Sequence, residues 1–231
     1  MVAATALALA TAPISKAANL FWDVNADTAG SGGTGNWDTS SAFWYNAGTG
    51  TSSTGLSATA AYTFTSADTA YFTGVGGTAT LQQGVTVGGL YFGSPGFTIA
   101  GNTLTLAAGA KVNAAADATI SSIVAGTTFT KSGAGTLTLS GANTLSGAIT
   151  ISAGTLLLDA SAGGSLAAAT PLTLGSAGFA YRGAASGASS QSVVLTTAAA
   201  SLARVTLDPN GGTSTTLALG GITRAAGSAL S

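Results

Sequence analysis

Between residues 131 and 158 the chain reads KSGAGTLTLSGANTLSGAITISAGTLLL, and its apolar positions fall two apart. Leu137 and Leu139, Ile149 and Ile151, and Leu156 and Leu158 alternate mostly with threonine. Period two sends successive side chains to opposite faces, so each segment has an apolar face and a hydroxylated one. The spacing predicts strands at 136–139, 148–151 and 155–158, each introduced by a glycine step. One such unit has nothing to bury its apolar face against, but a stack of them does. The six apolar residues are the expected core of the unit.

Looser versions of the pattern occupy much of the chain. Before the central stretch, strands are expected at 62–65, 69–73, 79–82, 85–87, 89–92, 97–99, 103–106, 111–112 and 119–124. After it they are expected at 171–174, 179–181, 192–195, 204–207 and 216–219. Apolar triplets at 193–195, 205–207 and 217–219 recur about every twelve residues. Many short strands at regular spacing suit a sandwich, a barrel or a β-solenoid. The solenoid is favoured because Asn-Gly and Asp-Gly hairpin turns are almost absent, Asn210-Gly211 being the exception. The strands are also short and alike, and their connections are rich in Gly, Ala and Ser and vary in length. The expected fold is all-β, a β-solenoid, with a Greek-key β-sandwich as the alternative.

Composition sharpens this and removes most chemistry. Only 6% of the 231 residues are charged, against about 25% in ordinary domains. There is no cysteine, no histidine and no glutamate, since all seven acids are aspartates. Disulfide scaffolds, Cys- or His-ligated metals and Ser-His-Asp or Cys-His catalysis cannot be written with these residues. No glycine-rich phosphate loop stands on a strand-to-helix junction, and no cofactor is expected. Arg182, Arg204 and Asp208 are the nearest approach to a lyase-like cluster, and Asp208-Pro209-Asn210-Gly211 reads first as a turn. The six basic residues are scattered, with no stripe to neutralise phosphates, so nucleic acid is not an expected partner.

The N-terminal fifth is different. Residues 2–12 are an apolar run too short to span a membrane, and 1–18 resemble part of a secretory signal without its basic start. Residues 19–61 hold Trp22, Trp37 and Trp44, which suit an aromatic cap over the open end of a solenoid. The alternative is a platform on which a sugar stacks. Asp23, Asn25 and Asp27 are spaced as at the start of a calcium loop, but Thr28 stands where that loop needs glycine.

The central stretch resembles the autotransporter-associated β-strand repeat, also called the passenger-associated transport repeat, across 133–156. Its pattern G-A-G-T-L-T-L-S-G-x-N-T-x-S-G-x-x-x-I-x-x-G-T-L is matched, with Leu145 where that family often has tyrosine and Ala148 where it often has glycine. Trp22-Asp23-Val24-Asn25, Gly35-Asn36-Trp37-Asp38, Asp68-Thr69-Ala70-Tyr71-Phe72 and the segment 85–90 are similar to flanking coils of such passengers. The resemblance implies a single-stranded right-handed parallel β-helix over 62–231, with the repeat at 128–159. It implies a secreted or surface-displayed bacterial protein whose repeat assists passage across the outer membrane. An outer-membrane translocator barrel or another surface anchor would then be its partner, and nothing after residue 160 reads as barrel strands. The chain is therefore expected to be a piece of a longer protein, stopping in mid-coil. A structural stem is the first expected function. An adhesin binding surface glycans or other cell-surface ligands through Trp22, Trp37 and Trp44 is the second. A polysaccharide-degrading enzyme comes last.

Overall fold

The computed structural model describes residues 17–24, 31–41, 43–46, 63–198 and 201–231. The apolar run before Ala17, and Asn25 and Asp27, lie outside the described residues. The fold is a parallel β-solenoid of about seven turns, built from a 12-stranded and a 9-stranded sheet. Every named strand pairing is parallel except one, the antiparallel contact of Asn19–Trp22 with Trp44–Asn46. A Greek key needs antiparallel neighbours, so the sandwich alternative falls. The only helical element among the described residues is the 3₁₀ turn Ala160–Ala162, and no helix is long and apolar enough to cross a membrane.

The twelve-residue spacing marks half a coil. Thr136–Leu139 does not pair with Ile149–Ile151, its neighbour in sequence; it pairs with Thr155–Asp159 and with Ala118–Ile120. Ile149–Ile151 lies in the other sheet, against Phe129–Ser132 and Thr170–Leu174. Successive strands alternate between sheets, and a full coil returns after 19 residues from Lys111 to Thr130 and 20 from Thr130 to Thr150. In the middle coils a short third side is added, where Val124–Gly126 pairs with Thr144–Leu145 and with Leu104–Ala114.

Several strand boundaries differ from the periodicity. The segments 85–87 and 89–92 are one strand, Val85–Phe92, with a register shift between Val87 and Gly89 that turns the coil's corner. Likewise 103–106 and 111–112 merge in Leu104–Ala114. The expected strand 119–124 is instead two, Ala118–Ile120 and Val124–Gly126, because Ser121 to Ile123 make a corner between sheets. Thr63–Thr65 form no strand; Thr65 donates its N–H and hydroxyl to Asp68 (2.7 and 2.8 Å) in a turn that also receives the Ala18 N–H (2.9 Å).

Inward residues stack in rows along the axis. One row runs Phe97, Ala118, Leu137, Leu156, Phe179; the next runs Ile99, Ile120, Leu139, Leu158, Tyr181. Ile149 stacks between Phe129 and Leu172, and Ile151 between Lys131 and Leu174. All six core residues expected in the repeat are buried. Outward, Thr130, Thr150, Thr173 and Thr196 form a hydroxyl row on the larger sheet. Each buried Leu, Ile or Phe gains roughly 1.5–3 kcal/mol on leaving water, and that gain exists only because a neighbouring coil covers it.

Candidate functional site

The repeat buries Lys131, Ser140 and Asn143, and the first and last of these fasten its corners. Lys131 occupies an inward position of the row Leu90, Val112, Lys131, Ile151, Leu174, and no part of it is exposed. Its Nζ donates to the carbonyl oxygens of Gly133 (2.7 Å), Gly135 (2.5 Å) and Ala153 (2.9 Å). Those carbonyls point inward because two tight corners stack there. Gly133 and Gly154 have φ of +79° and +63°, and a Cβ on Gly133 would lie 2.4 Å from the Ala114 oxygen of the preceding coil. The ammonium thus closes a corner shared by consecutive coils. Burial lowers its pKa to about 8, with the Asp117 carboxylate opposing.

Asn143 closes another corner. Its Oδ1 accepts the Val124 N–H of the preceding coil (3.0 Å). Its Nδ2 donates to Gly141 O within its own turn (2.7 Å) and to Ser165 O of the following coil (3.0 Å). One amide side chain therefore fastens three successive levels of the stack. Gln191 repeats the device later, bonding both N–H and C=O of Leu166 (3.0 and 3.2 Å). Ser152 and Ser146 hydroxyls reach back one coil to the carbonyls of Lys131 and Gly126 (3.0 and 3.3 Å). Neither Lys131 nor Asn143 stands out in the sequence as a site residue. The usable signal was their place in the motif at glycine-flanked corners, where orphaned backbone groups must be answered.

The three tryptophans belong to the interior. Trp22, Trp37 and Trp44 are at most 1% exposed and pack with Phe43, Phe64 and Phe72, ring centroids 4.7–6.5 Å apart. Trp22 Nε1 donates to Gly33 O (2.9 Å). A sugar-stacking platform needs an open ring face, and burial denies one to all three. Asn19–Trp22 and Gly35–Trp37 are already rungs of the two sheets, while Trp44–Asn46 runs antiparallel along the outer edge of the first. Asp23 is buried and accepts the Ser31 hydroxyl (2.7 Å).

Of Arg182, Arg204 and Asp208, Arg182 and Asp208 come together and Arg204 stays apart. Arg182 sits opposite both Asp159 and Asp208 in register, with Nη1 at 3.4 Å from Asp159 Oδ2 and Nε at 3.1 Å from Asp208 Oδ2. Arg204 lies opposite Gly178 instead. This is a three-rung ion ladder at the surface, with each carboxylate facing the guanidinium. No group of three or more metal-binding side chains occurs among the described residues.

A different aromatic row lies on the outward side of the larger sheet, where Phe21 is buried and Tyr71 and Tyr91 are half-buried. Phe21, Tyr71 and Tyr91 occupy equivalent outward positions on consecutive rungs, and Asn113 follows them. Phe21 and Tyr71 are stacked at 4.7 Å, and Tyr71 and Tyr91 stand 5.0 Å apart. Burial, with Tyr91 alongside, pushes the Tyr71 hydroxyl pKa up.

Residues 129–158 match the family model described as the passenger-associated transport repeat. Over 159 residues, 68% of its length, the chain is 36% identical to the adhesin BmaC autotransporter of Brucella suis biovar 1 (strain 1330). It spans about 4% of that relative's length. No solved structure gives a significant match. The likeness to autotransporter passengers that the sequence carries is borne out.

Proposed function

We propose that this chain, whose residues 129–158 are a passenger-associated transport repeat, is a stem segment of a secreted or surface-displayed autotransporter passenger. Its repeat assists export, and a translocator barrel or other outer-membrane anchor is its partner. The carrying observation is Asn143, which binds the coil before it and the coil after it. A coil emerging outside the membrane then finds its backbone partners already presented by the coil ahead. Each docking step buries an apolar row and opposes backsliding. The absence of cysteine leaves no disulfide to block threading. No enzymatic role is proposed: Asp68, Asp117, Asp159 and Asp208 are engaged in turns, backbone contacts and the Arg182 ladder.

The test is a secretion assay on the parent passenger carrying Asn143→Ala. Surface-exposed protein should fall several-fold while a periplasmic pool accumulates, and Thr138→Asp on the outer face should export normally. Unchanged export with Asn143→Ala would remove the assisting role and leave a passive stem. A second reading, part of an adhesin, is supported by the likeness to an autotransporter adhesin and by the outer aromatic row. With Trp22, Trp37 and Trp44 buried, adhesion would use that outer row.

A further inference from the structure

The stack of rings on the larger sheet stops at Tyr91. The next position in its row is Asn113, whose short side chain covers no ring face. Two adjoining cavities of about 330 and 470 Å³ open here, both lined by Tyr71, Tyr91 and Asn113. Those volumes fall in the range of roughly 300–1,000 Å³ typical of small-ligand sites. Lys111 and the glycines Gly88, Gly89 and Gly109 line the smaller cavity. Gly109 has only open space where a Cβ would stand, so the wall beside Lys111 is low.

Two polar side chains, Lys111 and Asn113, border this step. Lys111 is exposed and forms no ion pair among the described residues, and no carboxylate lines either cavity. Asn113 lines both cavities; its Oδ1 is buried and has no hydrogen-bond partner among the described residues, which leaves the Nδ2 end of the amide for a ligand. A ligand suited to the step has a ring whose C–H face lies on an aromatic, hydroxyls for an amide and a phenol, and a negative charge for an ammonium.

We propose that Tyr71, Tyr91, Lys111 and Asn113 form a binding site for an acidic glycan. A uronic acid ring continues the stack over the open face of Tyr91, and its carboxylate meets Lys111. Asn113 then bonds a ring hydroxyl. The parallel coils supply the geometry, since the position after Tyr91 is one strand spacing of about 4.8 Å further along the axis. A ring seated over the short Asn113 side chain lies beside Tyr91 within the cavity. This rests on the adhesin reading only for its biological use, and the site stands or falls by itself.

The probe is tri-galacturonic acid titrated into the full 231-residue chain, with cellotriose as the neutral control, followed by calorimetry and by amide shifts in NMR. Galacturonate should perturb Tyr91, Lys111 and Asn113. Tyr91→Ala should weaken it roughly tenfold or more, and Tyr91→Phe, which keeps the ring face, should retain binding. Lys111→Gln should weaken galacturonate severalfold and leave cellotriose unchanged. If Tyr91→Ala fails to fold, Lys111→Gln and Asn113→Ala decide the matter, since both are outward and polar. Absence of galacturonate binding, or equal affinity in Tyr91→Ala, overturns the site. Loss of binding in Tyr91→Ala with cell attachment by the parent unchanged keeps the site and rejects its use in adhesion.

Discussion

Lys131 shows how a single residue can be both out of place and required. A lysine in an apolar row costs desolvation, and the three carbonyls on its Nζ answer that cost. Its folded pKa of about 8 lies below the ordinary 10.5, so between those values the unfolded chain holds more protons than the folded one. Stability therefore rises with pH across that window. From about pH 7.5 to about pH 9.5 the urea midpoint should increase, with roughly 3 kcal/mol as the ceiling on the gain. Lys131→Met should abolish that rise. It should also cost about 2–4 kcal/mol at neutral pH, because buried carbonyls lose their donor. A flat pH profile in the parent protein would show that Lys131 is not buried as described. Sequence periodicity marks position 131 as inward, since it stands two residues from Phe129, yet residue type argues for the surface. Only the neighbouring corners resolve the conflict, and their geometry is tertiary.

At the scale of the strand, alternation is sufficient to assign faces. Leu139 is buried between Ile120 and Leu158, whereas Thr138 on the same strand faces outward between Thr119 and Leu157. Leu139→Asp should bury an unpaired carboxylate and cost more than about 4 kcal/mol, enough to melt neighbouring coils. Thr138→Asp should stay within about 1 kcal/mol of the parent. Circular dichroism melts of the two variants check this, and equal losses would refute the assignment. Leu137, Leu139, Ile149, Ile151, Leu156 and Leu158 were legible because each obeys period two within its own strand. Which strand lies beside which was not. Pairing skips one segment, so Thr136–Leu139 meets Thr155–Asp159 and passes over Ile149–Ile151. Local pattern fixes the face of a residue, while the length of a whole coil fixes its neighbour. The corners vary, giving 19 residues per coil at Lys111, 23 at Thr150, which pairs with Thr173, and 26 at Arg182, which pairs with Asp208, and so hide the repeat from a fixed-period reading.

For the molecule as a whole, contacts run almost entirely to the adjacent coil, so stability is distributed along one axis. Charge contributes little: the Arg182 side chain is 40% exposed and Asp208 more so, while the buried Asp159 keeps its bonds from the Ser161 N–H and hydroxyl whether or not Arg182 is present. Arg182→Gln should change stability by less than about 1 kcal/mol, and added salt should hardly matter. Protection should instead follow coverage. Leu137, Ile149, Leu156 and Phe179 have coils on both sides and are fully buried. In Ser214–Arg224 the inward Leu217 and Leu219 are only partly covered and Ile222 is 50% exposed. Amide exchange in this chain should therefore be slowest across 118–181 and fastest across 214–230, with an intermediate step at Leu202–Asp208. Removing the Asn143 clamp should lower protection on both sides of the repeat together, because its amide holds Val124 and Ser165 to one corner. A loss confined to 141–146 would mean that the coils are energetically independent. The export role argued for the repeat needs the joint response, since only a coil coupled to the next can pull it outward.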